Sequence, residues 1–192
     1  MNSDAVQRCQ NLILFGATGD LAKRMLLPSL YALHADELIA PNLKIFGTAR
    51  SELTDDGFRY MAREALDEFL PKDRKDEGTI SSFLNRLFYQ PLDASTIEGF
   101  DDLAKKVGDI SCGLAIFLST APFLFEPTIK GLESAGLAGG NVRIGLEKPL
   151  GTDFESSAQI NDAVAAVFPE ARTFRIDHYL GKETVQNLMA LR

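Results

Sequence analysis

The sequence predicts an α/β protein with a doubly wound parallel sheet, because short apolar runs alternate with longer amphipathic segments along its 192 residues. Six runs have the length of strands, at residues 12–15, 43–46, 87–89, 114–118, 142–146 and 173–176. Several of them lack polar alternation, which is typical of strands buried on both faces. Right-handed crossovers between such strands cover both faces of the sheet with helices.

Helical patterns lie between these runs. Thr54 is a candidate N-cap for a helix whose apolar stripe comprises Phe58, Met61, Ala62, Ala65, Leu66 and Phe69. A second helix is marked by Ile97, Phe100, Leu103 and Val107. A third carries Ile160, Val164 and Val167, and Thr152 and Glu155 have the spacing of a capping box at its start. A helix after the first strand is expected to end near Leu38, and the charge-dense residues 71–78 predict a surface connection.

Composition narrows the function classes. The net charge of −7 argues against a sequence-independent nucleic-acid binder and against a polybasic membrane anchor. No apolar run approaches the ~20 residues of a membrane span, and the N-terminus lacks the pattern of a secretory signal. Cys9 and Cys112 form neither a disulfide framework nor a zinc motif. We therefore expect a cytoplasmic protein that binds no nucleic acid, membrane or metal.

A glycine-containing loop follows the first strand, with the pattern G-x-x-G-x-x-A over residues 16–22. Gly16 permits a tight turn, Gly19 lets a pyrophosphate approach the backbone, and Ala22 lets the helix pack close to the strand. The helix N-terminus supplies unpaired N–H groups and partial positive charge. The loop predicts the phosphate-binding corner of a Rossmann-like sheet, although Thr18 replaces the usual second glycine, and a plain strand-to-helix turn is the alternative.

The second strand is followed by Arg50, where an NAD-binding unit usually places an acidic residue for the ribose 2′-hydroxyl. A guanidinium suits a 2′-phosphate because its planar fork pairs with two phosphate oxygens. Arg50 therefore favours NADP, the alternative being a solvated arginine.

Polar segments follow the fifth and sixth strands, at residues 147–151 (Glu-Lys-Pro-Leu-Gly) and 175–183 (Arg-Ile-Asp-His-Tyr-Leu-Gly-Lys-Glu). In open α/β sheets, ligands bind beyond the carboxyl ends of the strands. Both segments are therefore expected on the same side of the sheet as the glycine loop.

Together, the motifs at residues 16–24, 47–51, 147–151 and 175–183 resemble those of the glucose-6-phosphate dehydrogenase family, in order and spacing. The nonapeptide at 175–183 is the most specific of them. The resemblance implies hydride transfer from C1 of glucose 6-phosphate to NADP⁺, which gives 6-phosphogluconolactone and opens the pentose phosphate pathway.

The resemblance also implies residue roles. The cofactor pyrophosphate is held by the loop residues Gly16, Ala17, Thr18, Gly19, Asp20, Leu21, Ala22 and Lys23. Arg50 holds the 2′-phosphate, and Lys148 contacts both substrate and cofactor. The sugar phosphate is bound by His178, Tyr179 and Lys182. Asp177 orients a catalytic histidine.

That histidine lies far downstream in the family, whereas this chain contains only His34 and His178. We therefore expect residues 1–176 to form an NADP-binding Rossmann domain and residues 177–192 to begin a second α+β substrate domain of a longer protein. The 192 residues alone are expected to be inactive, and the longer protein is expected to be a homo-oligomer.

Two other functions are compatible with parts of the sequence. A noncatalytic NADP-binding module agrees with the missing second histidine. A sugar oxidoreductase of the glucose–fructose oxidoreductase type also places a Glu-Lys-Pro motif after a Rossmann strand, but that group lacks the nonapeptide at 175–183.

Overall fold

A computed structural model describes residues 9–139 and 141–177. In this part of the chain, six parallel strands form one sheet in the order β3-β2-β1-β4-β5-β6. The strands are β1 Asn11–Phe15, β2 Lys44–Ala49, β3 Leu87–Pro91, β4 Leu114–Leu118, β5 Val142–Glu147 and β6 Thr173–Ile176. Each predicted run overlaps one of these strands, so the predicted Rossmann-like sheet is confirmed.

Helices cover both faces of the sheet. They are α1 Leu27–Ala35, α2 Asp55–Phe69, α3 Glu77–Leu84, α4 Phe100–Val107, α5 Phe125–Ser134 and α6 Phe154–Val167. A π-helical segment, Ala22–Leu26, leads into α1, and short 3₁₀ turns occupy Lys72–Arg74, Pro122–Leu124 and Glu170–Arg172. Helix α1 ends three residues before the predicted limit at Leu38. No helix within 9–139 or 141–177 is long and apolar enough to cross a membrane.

The core has two layers, one on each face of the sheet. In β1, Ile13 and Phe15 belong to the layer under α4, α5 and α6, whereas Leu14 belongs to the layer under α1, α2 and α3. All three side chains are at most 1% exposed. The uninterrupted apolar run of β1 therefore reflects burial on both faces.

The predicted N-terminal caps of α2 and α6 can be tested against the hydrogen bonds at the start of each helix. At α2, the Thr54 hydroxyl accepts a bond from the Gly57 amide at 3.1 Å, which confirms the N-cap. At α6, the capping box lies one residue later than predicted. The Asp153 carboxylate accepts from the Ser156 amide at 2.8 Å, and the Ser156 hydroxyl accepts from the Asp153 amide at 3.1 Å. Asp153 thus takes the position assigned to Thr152.

The helix predictions were wrong at three further places. They missed α5, and they missed α3, which buries only Ile80 and Phe83 and begins inside the charged connection predicted at residues 71–78. They also included Ile97 in a helix, but α4 begins at Phe100 after Gly99, whose φ is +84°, and Ile97 is exposed. The left-handed backbone at Gly99 separates Ile97 from the helical stripe.

Candidate functional site

A cleft of about 650 Å³ opens at the carboxyl ends of β1, β2 and β4. Strand β1 lies between β2 and β4, so the cleft is at the point where the strand order reverses. This is where doubly wound sheets bind ligands. Among the predicted cofactor residues, the lining includes Gly16, Thr18, Gly19 and Arg50.

The glycine loop is tied to both neighbouring strands. The Thr48 carbonyl accepts bonds from the amides of Gly16 at 2.9 Å and Ala17 at 3.2 Å. On the other side, the Ser119 hydroxyl donates to the Phe15 carbonyl at 2.6 Å. Gly16 has φ +77°, and a Cβ there would lie 2.8 Å from the Ser119 carbonyl oxygen. The turn therefore requires glycine both for its backbone angle and for the close approach of β4.

The loop closes on itself before the helix begins. The Gly19 amide donates to the Gly16 carbonyl at 2.9 Å, and the Lys23 amide donates to the Gly19 carbonyl at 3.1 Å. In the described part of the chain, the cleft lining includes neither the fully buried Ala17 and Ala22 nor Asp20, Leu21, Lys23 and Lys148. Ligand contacts of these residues stay predictions.

Arg50 is exposed at the end of β2, and its guanidinium makes no hydrogen bond or ion pair within residues 9–139 and 141–177. The Thr18 and Ser51 hydroxyl oxygens lie 3.3 Å apart, which brings the loop next to Arg50. Asp93 also lines the cleft. Hydrogen bonds from the Ser95 amide and hydroxyl lower the pKa of Asp93, and the positive charge of Arg50 lowers it further. Arg50 thus presents, beside two hydroxyls, a fork of donors that has no hydrogen-bond partner among the described residues.

Two hydroxyls in the cleft were not singled out from the sequence. The side-chain oxygens of Thr48 and Thr120 are buried and have no hydrogen-bond partner in the described part of the chain. Both residues line the cleft. Nothing in the local sequence marks them, because whether a threonine hydroxyl finds a partner depends on the tertiary packing around it.

A second polar cluster lies at the ends of β5 and β6. The Lys148 ammonium is 3.3 Å from the Asp177 carboxylate, and the Lys148 amide donates to the Ile176 carbonyl at 3.1 Å. The bond between Lys148 and Pro149 is cis. The structure therefore brings together Lys148 and Asp177, two predicted site residues. His178, Tyr179 and Lys182 lie outside the described residues.

The comparison with known proteins decides the family. A profile described as glucose-6-phosphate dehydrogenase, NAD binding domain, matches residues 13–187. The chain belongs to the glucose-6-phosphate dehydrogenase family. The resemblance inferred from the four sequence motifs is confirmed.

Similar glucose-6-phosphate dehydrogenases include curated and solved proteins. The glucose-6-phosphate 1-dehydrogenase of Zymomonas mobilis is 56% identical over 181 residues, which are 94% of this chain and 37% of that protein. That of Rhizobium meliloti is 41% identical over the same shares. The crystal structure of the Mycobacterium avium enzyme has a TM-score of 0.82 at 33% identity and covers 96% of this chain and 39% of the other.

A solved glucose-6-phosphate dehydrogenase in complex with its substrate glucose-6-phosphate also matches, with a TM-score of 0.82 at 31% identity. The match covers 96% of this chain and 40% of that one. The present chain therefore spans well under half the length of these glucose-6-phosphate dehydrogenases.

The matched region of the glucose-6-phosphate dehydrogenase family binds a nicotinamide dinucleotide. The cleft fits such a group because, within the described residues, it combines a turn without a Cβ at Gly16, a guanidinium without a hydrogen-bond partner at Arg50 and two buried hydroxyls without partners. The lining residues that would hold the dinucleotide are Gly16, Thr18 and Gly19 of the loop, together with Arg50 and Ser51. Among the described residues, no group of three or more His, Cys, Asp and Glu side chains could hold a metal ion.

Proposed function

We propose that this chain is the cofactor-binding portion of an NADP-dependent glucose-6-phosphate 1-dehydrogenase. The enzyme oxidises glucose 6-phosphate to 6-phosphogluconolactone, the first step of the pentose phosphate pathway. The observation that carries the proposal is Arg50, which lines the cleft beside the glycine loop and has no hydrogen-bond partner in the described part of the chain.

The choice of NADP over NAD rests on charge at the end of β2. Residues 48–51 read Thr-Ala-Arg-Ser and contain no carboxylate to accept a bond from a ribose 2′-hydroxyl. The Arg50 guanidinium and the hydroxyls of Thr18 and Ser51 are donors that complement a 2′-phosphate. A phosphate dianion therefore gains interactions here that a neutral 2′-hydroxyl cannot make.

Asp177 and Lys148 supply the polar groups nearest to the proposed chemistry. A bound nicotinamide supplies the hydride acceptor. The Lys148 ammonium, half-exposed and 3.3 Å from Asp177, can donate to a sugar hydroxyl while the carboxylate fixes its position. Asp177, 24% exposed, can also accept a bond from an imidazole N–H and stabilise the imidazolium that forms when a histidine takes the substrate proton.

The histidine that takes the proton does not come from this chain. His34 lies on α1 and does not line the cleft. Its pKa is lowered, mainly by burial and also by the positive charge of Arg86. His178 has the proposed role of binding the sugar phosphate with Tyr179 and Lys182. The proton acceptor is therefore assigned to the part of the enzyme beyond these 192 residues.

The same proposal covers domain organisation. Residues 1–176 form the cofactor domain, and residues 177–192 begin the substrate domain. The complete enzyme acts as a homo-oligomer in the cytoplasm, and it binds neither nucleic acid nor membrane. A noncatalytic NADP-binding module is the second candidate, favoured by the absence of a second active-site histidine from the chain.

An activity assay separates the two candidates. The 192-residue chain should bind NADP⁺ but form no NADPH from glucose 6-phosphate. The protein extended through the downstream histidine should form NADPH. If the extended protein binds NADP⁺ with the same affinity but remains inactive, the noncatalytic module is the correct function.

A further inference from the structure

Thr48 is the most deeply buried polar side chain in the cleft. It is 0% exposed, and its hydroxyl has no hydrogen-bond partner in the described part of the chain. Its neighbours across the sheet are Phe15 of β1 and Gln90 of β3. A buried hydroxyl without a partner is unfavourable, so such groups in native proteins usually have a binding partner, a bound water or a functional role.

Thr120 has the same property on the other side of β1. It follows β4 directly after Ser119, its hydroxyl is buried and without a partner in the described part of the chain, and it lines the same cleft. Thr48 thus approaches the cleft from β2 and Thr120 from β4, with the glycine loop between them.

The two sides of the cleft correspond to the two halves of a dinucleotide. Thr48 lies two residues before Arg50, on the side where a 2′-phosphate, and hence the adenosine half, is expected. Thr120 lies on the side of β4 and β5, toward the pair formed by Lys148 and Asp177. The nicotinamide half belongs on that side, because the sugar substrate must meet it there.

We propose that the hydroxyls of Thr48 and Thr120 are cofactor-binding groups, Thr48 for the adenosine half and Thr120 for the nicotinamide half of the dinucleotide. Each hydroxyl can donate one bond and accept others, so each can pair with a ribose hydroxyl, a phosphate oxygen or a carboxamide. Neither contact depends on the 2′-phosphate, so both should serve NADP⁺ and NAD⁺ equally. This inference rests on the proposed function.

Thr→Val substitutions test the pair, because valine keeps the shape of threonine and removes only the hydroxyl. Thr48→Val should weaken binding of NADP⁺ and NAD⁺ by the same factor, about 3- to 10-fold, in a calorimetric titration of the 192-residue chain. Thr120→Val should weaken both dinucleotides by a similar factor. Thr48→Ser, which restores a hydroxyl, should regain most of the affinity.

Binding of a cofactor fragment shows which half of the dinucleotide each hydroxyl contacts. Adenosine 2′,5′-bisphosphate carries the adenosine half alone. Thr48→Val should weaken its binding as much as it weakens that of NADP⁺, whereas Thr120→Val should leave its binding unchanged. The assignment would be overturned if Thr120→Val bound the fragment more weakly than the wild type did while Thr48→Val bound it equally well.

Thr173→Val is the matched control. Thr173 is also buried, but its hydroxyl donates to the Pro169 carbonyl at 3.1 Å. It begins the edge strand β6 and does not line the cleft. Thr173→Val should lower the unfolding temperature without changing dinucleotide affinity. Thr48→Val should leave the unfolding temperature of the free chain unchanged or raise it, because no bond is lost.

Failure of this inference can be told apart from failure of the proposed function. A wild-type chain that binds neither dinucleotide contradicts the proposed function. A different result is that the wild-type chain binds both dinucleotides while Thr48→Val and Thr120→Val bind them as tightly as the wild type. That result contradicts the inference alone and assigns the two hydroxyls to bound water.

Discussion

The carbonyl oxygen of Thr48 lies 2.9 Å from the amide nitrogen of Gly16, so the end of β2 fixes the start of the glycine loop. The bond joins the strand that carries Arg50 to the loop expected to hold the pyrophosphate. The bond therefore helps to fix the position of the proposed 2′-phosphate site relative to that of the proposed pyrophosphate site.

Gly16→Ala should damage both the fold and the cleft. The φ of +77° is strained for alanine, and the new Cβ would lie 2.8 Å from the Ser119 carbonyl oxygen. We expect the free energy of unfolding to fall by more than about 2 kcal/mol in denaturant titrations, and NADP⁺ binding to be lost.

Gly136→Ala is the control for the backbone angle alone. Gly136 has φ +70°, and no atom of the described residues lies within 4 Å of a Cβ placed there. We expect a loss of about 1 kcal/mol and unchanged binding. Equal losses in the two variants would show that the approach of β4 to the loop imposes no steric requirement.

Tyr89 stabilises the segment that carries Arg50 through hydrogen bonds to the residues on either side of it. Its hydroxyl lies 2.8 Å from the Ser51 carbonyl and 3.1 Å from the Ala49 carbonyl, and burial raises its pKa to about 12. Because this value lies above the ordinary one of 10, neutral Tyr89 stabilises the fold fully below about pH 10. That contribution is lost as the pH rises through 12.

Tyr89→Phe should therefore lower the free energy of unfolding by about 1 kcal/mol at pH 8 and flatten its decline between pH 10 and 12. Denaturant titrations at several pH values measure both effects. Tyr60→Phe removes a hydroxyl from an exposed side chain and should change neutral stability by less than about 0.5 kcal/mol. A pH dependence that is identical in wild type and Tyr89→Phe would refute the assigned titration.

Asp177 and Lys182 should separate catalysis from binding in the complete enzyme. Asp177→Asn removes the charge that is expected to stabilise an imidazolium, so kcat should fall at least about 100-fold with little change in sugar-phosphate affinity. Lys182→Ala removes a proposed phosphate contact and should mainly raise KM. Steady-state kinetics measure both. A pure KM effect in Asp177→Asn would move this residue from catalysis to binding.

Much of the fold could be predicted because strands such as β1 and β4 consist of nearly uninterrupted apolar residues. The run at residues 114–118 appears as a strand with the same bounds, Leu114–Leu118. Helix α3 was missed because its eight residues bury only two apolar side chains, too few for a periodic signal. The capping box of α6 was misplaced because Asp153 and Thr152 are adjacent and both are acceptable N-caps.

The candidate site was predictable only in part, because local motifs mark some of its residues and tertiary packing alone brings the others together. Arg50 and the glycine loop each lie in a short motif directly after a predicted strand. Because the carboxyl ends of parallel strands lie at the same side of the sheet, the sequence predicted that the two would lie close together. The 3.3 Å separation of Lys148 and Asp177 depends on the pairing of β5 with β6, which places residues 29 apart in sequence side by side. That the hydroxyls of Thr48 and Thr120 find no partner among the described residues depends on packing from several elements, which no local motif encodes.

The preference of the cleft for NADP⁺ is tested most directly by titrating Arg50→Ala with both dinucleotides. Losing a charge-assisted phosphate contact should weaken NADP⁺ binding by roughly 1.5–3 kcal/mol, or about 10- to 150-fold, and change NAD⁺ binding by less than about twofold. Arg172→Ala, in the 3₁₀ turn before β6, should leave both affinities unchanged. Equal weakening of NADP⁺ and NAD⁺ in Arg50→Ala would contradict the account, because Arg50 would then not bind the 2′-phosphate.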